Sequence, residues 1–74
     1  MTKLSEQEFL KKLGSKIKLV RNEKGWSLNE ISIKCGIEKA SISRIESGKS
    51  NITLKTLFKL SLALEVTVAH FFAK

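Results

Sequence analysis

The segment from Ser27 to Gly48, SLNEISIKCGIEKASISRIESG, carries two short helical patterns joined by a three-residue hinge. Ser27 with Glu30 three residues later makes a capping box, in which the hydroxyl accepts from one helix amide while the carboxylate reaches back to another. Trp26 before the cap and Ile31 inside the helix add a hydrophobic staple that fixes how the chain enters. Leu28, Ile31 and Cys35 recur at spacings of three and four, and Gly36 follows where a left-handed residue ends a helix without a Cβ clash. The first helix of the pair is therefore expected to end near Cys35. From Glu38 the pattern restarts with Ile42 and Ile45 inward and Lys39, Ala40, Ser43 and Arg44 outward, until Gly48 offers a second stop. Ser32 sits where two steeply crossing helices press closest, and its small side chain permits the approach. The arrangement reads as a helix-turn-helix at about 28–47.

The flanks read as helices too. Ser5 and Glu8 form another capping box, Leu4 and Phe9 another staple, and Leu10, Leu13, Ile17 and Val20 line one face of a helix spanning roughly 6–24, closed by Gly25. Its opposite face carries Lys11, Lys12, Lys18 and Lys24, expected to be solvated rather than to lie on a membrane. After a polar loop from Gly48 to Ile52, Thr53 caps a helix with Leu54, Leu57, Leu60, Ser61 and Leu64 inward, and Thr67 begins a last short helix through Phe72. The expectation is a compact, all-α, five-helix fold in one domain over residues 1–74.

Composition closes off other classes. A chain of 74 residues buries roughly 60% of the surface its unfolded form exposes, which leaves little core to spare for an enlarged cavity. The single Cys35 permits neither an internal disulfide nor a cysteine-based zinc site, so stability must come from helix packing. No apolar run approaches the roughly 20 residues that span a bilayer, and Met1 to Lys18 lacks the continuous apolar stretch of a signal peptide, so a cytoplasmic location is expected. His70 is the only histidine and no Asp exists to orient a base, so a nucleophile and base pair is not expected. With no phosphate-binding glycine loop and no metal-spaced cluster, we expect no enzyme activity, no cofactor and no metal. No small-molecule effector is evident either.

The net charge is +7, and five basic residues lie between Lys39 and Lys59 against one acid, Glu46. Such a field selects polyanions and is centred on the second helix of the motif.

From Leu10 to Phe72 the order of parts resembles the lambda-repressor and Cro-like helix-turn-helix family, the XRE type. The resemblance rests on LVRNEKGWSLNEIS at 19–32, CGI at 35–37, SRIESGKSN at 43–51 and LKTLFKLSLALEV at 54–66. It implies that the second helix of the motif lies in the major groove of double-stranded DNA while the first crosses above it. It assigns base reading to Lys39, Ala40, Ser43 and Arg44, with Arg44 able to grip guanine bidentately and Ala40 able to touch a thymine methyl. Ser27, Ser41, Ser47, Lys49 and Asn51 are implied as phosphate contacts. Arg21 and Glu46 match a pair that bridges helices one and three in relatives, and Arg21 is also compatible with touching a phosphate.

Two positions depart from the family pattern. Glu65 stands where relatives carry Gly, which implies strain if that residue is left-handed, and Glu38 replaces the usual Ser or Thr cap of helix three. Val66, Val68, Phe71 and Phe72 crowd the carboxyl end with more apolar surface than one monomer is expected to cover, pointing to a homodimer interface. The whole reads as a transcriptional regulator binding a near-palindromic operator, akin to restriction-modification controllers, phage repressors and antitoxins. A protein-interaction module in which DNA contact is secondary is the alternative.

Overall fold

The computed structural model describes residues 5–73: α1 (Glu6–Glu23), α2 (Leu28–Cys35), α3 (Lys39–Glu46), α4 (Leu54–Leu64) and a final 3-10 helix (Val68–Phe72). Local chemistry explains where all but α3 begin. The Ser5 and Ser27 hydroxyls accept from the Glu8 and Glu30 amides, and each Glu carboxylate accepts the Ser amide in return, at 3.1 and 2.9 Å. Thr53 and Thr67 cap α4 and the 3-10 helix by accepting from Thr56 and His70. The staple partner Leu4 lies outside the described residues.

Where each α-helix ends is equally local. Gly25, Gly36, Gly48 and Glu65 all take positive φ just past a helix. At three of these ends the chain closes with a paired backbone motif; after α4, Val66 N–H donates to Ser61 C=O at 3.0 Å and Glu65 N–H to Leu62 C=O at 3.2 Å. The left-handed residue at 65 is thus a Glu, with φ 60° and ψ 39°, at a position glycine occupies at no steric cost.

The helices bury Ile17, Ile31, Ile42, Leu60 and Leu64 most deeply, with Leu13, Val20, Ile45, Leu57 and Phe71 around them. Each such side chain contributes on the order of 1.5–3 kcal/mol relative to exposure. α1 packs on α3, α2 packs on both α3 and α4, and the 3-10 helix closes against α1 and α4.

Three expectations are corrected. The fifth element is a 3-10 helix of five residues rather than a fifth α-helix, because the chain turns extended again at Ala73 before a second α-turn can form. Leu54, expected inward, is 82% exposed: it opens α4, beyond the edge of the core that Leu57 is the first to reach. Phe71, expected at an interface between copies, is 3% exposed and belongs to the core of its own chain. Val66 and Val68 pack partly against that core, and the Phe72 ring stacks on Phe9 with centroids 6.1 Å apart.

Candidate nucleic-acid interface

The outward face of α3 carries two cations, Lys39 and Arg44, on a well-anchored helix. Ile42, Ile45 and Glu46 point into the protein, whereas Lys39, Ala40, Ser43 and Arg44 are all exposed. This division follows from the helical period, since 39, 40, 43 and 44 share the stripe opposite 42, 45 and 46. Among the described residues the ion pairs are Arg21–Glu46 and Lys24–Glu65. The Lys39 and Arg44 cations therefore have no carboxylate partner there and remain free for an anionic ligand.

Three contacts hold α3 in place. A Cβ placed on Gly14 in α1 would fall on the carbonyl oxygen of Ile45 and 2.7 Å from that of Glu46, so only hydrogen at residue 14 lets α1 lie this close to α3. Arg21 then clamps the pair: its Nε donates to Glu46 Oε2 at 2.7 Å, Nη2 to Glu46 Oε1 at 3.0 Å and Nη1 to the Trp26 carbonyl at 2.7 Å. The bidentate geometry is the strong form of this pairing, and accepting carboxylate oxygens raise the Arg21 pKa further above its ordinary value. Across the turn, the Ser32 hydroxyl donates to the Ile37 carbonyl at 2.5 Å, tying the end of α2 to the start of α3.

These contacts revise one expectation and add a residue to the site. Arg21 is withdrawn as a phosphate contact, because its guanidinium is buried and committed to Glu46 and Trp26. The close approach of α1 to α3 depends on Gly14, which the apolar pattern of α1 passed over. The available signal was a glycine in a helix interior, where it costs about 1 kcal/mol against alanine and so asks for a packing reason.

The remaining residues ring the α3 face unevenly. Ser27 is exposed at the start of α2, and its box with Glu30 leaves the first amides of the helix without an internal acceptor. Lys49 and Asn51 are exposed in the loop after α3, and Ser41 is half-buried. Ser47 is exposed, but its hydroxyl donates back to the Ser43 and Arg44 carbonyls at 3.0 and 3.2 Å, so donating to another oxygen requires giving those up. Glu38 precedes α3 without a side-chain capping bond. Among the described residues no group of His, Cys, Asp or Glu is placed to hold a metal, and no helix is long and apolar enough to cross a membrane.

Comparison with known proteins gives this geometry a context. The HTH_3 helix-turn-helix family matches residues 17–71. Antitoxin HipB of Escherichia coli K12 is 41% identical over 56 residues, covering 76% of this chain and 64% of HipB. The chain spans under two-thirds of the length of HipB from that strain and from a second one. The restriction-modification controller protein C.AhdI from Aeromonas hydrophila superposes with a TM-score of 0.85 at 26% identity, over 86% of this chain and 97% of that one. SinR, described as the master regulator for biofilm formation and solved in complex with DNA, superposes with a TM-score of 0.76 at 37% identity, over 82% of this chain and 98% of that one.

Proposed function

The chain belongs to the HTH_3 helix-turn-helix family of the XRE type, and from that premise we propose that it is a sequence-specific, DNA-binding transcriptional regulator. The observation that carries the reading is the α3 face itself: Lys39, Ala40, Ser43 and Arg44 exposed together on a helix locked from behind by Gly14 and by the Arg21–Glu46 pair. Such a helix enters the major groove without having to order itself first. Arg44 reads a guanine bidentately, Ala40 rests on a thymine methyl, and Lys39 and Ser43 complete the base contacts. Ser27, Ser41, Ser47, Lys49 and Asn51 position the protein on the phosphates, supplying affinity rather than sequence preference. The regulator is non-enzymatic, acts in the cytoplasm and uses residues 1–74 as one DNA-binding domain.

It binds as a homodimer, which sets two α3 helices about 34 Å apart in successive major grooves and demands a near-palindromic operator. Because Phe71 is enclosed and Phe72 faces Phe9, we place the second copy against the outer face of α4, where Leu54, Phe58 and Leu62 are exposed in a single row leading to Val66. A Leu62→Glu variant is expected to stay monomeric in analytical ultracentrifugation at concentrations where the wild type associates.

Selection of DNA sites from a random pool, at near-physiological salt, tests the main claim. A palindromic consensus that relaxes at one base pair with Arg44→Ala supports a dimeric reader with Arg44 on a base; no enriched sequence at any salt defeats it. A second reading, a toxin-binding module with secondary DNA contact, draws support from the likeness to HipB. Under that reading the carboxyl-end surface matters more than Arg44.

A further inference from the structure

On the side of α1 away from Gly14 and Arg21, a cleft of about 530 Å³ opens between that helix and the carboxyl end of the chain. Its floor is Leu13 and Phe71, both buried, and one wall is the stacked pair Phe9 and Phe72. Leu19 extends the apolar lining by a further turn of α1. Lys12 and Lys16, one turn apart, stand in the same cleft, and no acid among the described residues lines it. Neither lysine forms an ion pair among the described residues. Their aliphatic stems suit the apolar wall while the ammonium groups reach its rim.

We propose that this cleft is a binding site for an amphiphilic carboxylate, whose acyl or arylalkyl chain lies against Phe9, Leu13 and Phe71 while its carboxylate is held between Lys12 and Lys16. The apolar lining rejects a small hydrophilic anion, and the two lysine charges, that of Lys12 partly offset by the exposed Glu8 one turn earlier, distinguish a carboxylate from a neutral apolar molecule. The volume falls within the range of about 300–1,000 Å³ typical of small-molecule sites. No residue of α2, α3 or α4 lines the cleft, so the site is separate from both the DNA-reading face and the proposed contact between copies.

The test is titration of the full chain with octanoate and decanoate below their micelle concentrations, read by calorimetry and by amide chemical shifts. One saturable site per chain is expected, with shifts confined to Phe9–Leu19 and Phe71–Ala73. Each methylene added to the acyl chain should strengthen binding about three- to four-fold until the cleft is full. The double variant Lys12→Gln, Lys16→Gln, at an exposed and a half-buried position and checked for native circular dichroism, should bind decanoate up to about tenfold more weakly, and 1-decanol should bind the wild type with a similar deficit. Equal affinity for decanoate and decanol, or no change in the double variant, overturns the carboxylate assignment. Shifts spread equally over the apolar row of α4 overturn the site itself, as does binding that weakens with rising protein concentration, the sign of a second copy in the cleft. Because the double variant leaves α3 untouched, site selection on DNA with the same protein separates failure here from failure of the regulator reading.

Discussion

Replacing Glu65 with glycine should stabilise the protein, and the sizes of the competing effects can be worked from the end of α4. Glu65 holds φ at 60° to complete the paired backbone motif, a conformation that costs an L-residue with a Cβ roughly 1–2 kcal/mol. Glycine removes that cost but gives the unfolded chain more freedom, offsetting about 0.4–1 kcal/mol. The substitution also deletes the Lys24–Glu65 ion pair at 3.1 Å; with the Glu65 side chain 75% exposed, that loss is about a few tenths of a kcal/mol. The balance is a gain of about 0.5 kcal/mol, or roughly 2–4 °C in Tm for a domain of this size. Glu65→Ala is the control, since alanine loses the same ion pair and keeps the strained backbone. Thermal unfolding followed by far-UV circular dichroism should place the glycine variant above the alanine variant by about 4–8 °C, the equivalent of roughly 1 kcal/mol. Both variants lack the ion pair, so repeating the scan at about 1 M salt should leave that difference in place. A glycine variant melting at or below the alanine variant would refute the argument that residue 65 bears conformational strain.

Gly14→Ala drives a methyl into the Ile45 and Glu46 carbonyls and should cost at least the roughly 1–3 kcal/mol typical of overpacking, seen as a lower denaturation midpoint with weakened DNA binding. Arg21→Ala strands the buried Glu46 carboxylate and leaves the Trp26 carbonyl without its donor; the expected loss is about 3–5 kcal/mol in denaturant unfolding, and a loss near zero would show the pair to be solvated. Lys49→Ala should weaken binding to all DNA sequences alike and reduce the slope of log affinity against log salt by about one, whereas a change confined to one base pair would move Lys49 into the base-reading set. The Glu8 carboxylate accepts first the Ser5 backbone amide, and the hydrogen bonds with Ser5 hold its pKa below the ordinary value. Its contribution is therefore present above the usual carboxylate range and lost as pH falls through the depressed value. Protection of the amides in the first turn of α1 against exchange should fall only under acid, and Glu8→Gln, which removes the titrating group, should abolish that pH dependence.

What could be read directly from the residues were features decided within about four positions of the chain. Ser5, Ser27, Thr53 and Thr67 cap because a hydroxyl reaches an amide three residues on, and Gly25, Gly36 and Gly48 end helices because they lack a Cβ. The outward stripe of Lys39, Ala40, Ser43 and Arg44 belongs to the same class, since helical periodicity alone separates it from Ile42 and Ile45. Residues whose state depends on a distant neighbour were not legible in this way. Phe71 is core rather than interface because α1 and α4 both pack against the 3-10 helix, and Leu54 is exposed because it opens α4 one turn before Leu57 meets the core. The Arg21–Glu46 pair was suggested by family resemblance, but the third bond to the Trp26 carbonyl, which removes Arg21 from the phosphate contacts, comes from how α1 and the loop before α2 meet. Gly14 is the clearest case: an unremarked residue in an amphipathic helix becomes the seat of α3 because another backbone, 31 positions further along the chain, occupies the space a side chain would need.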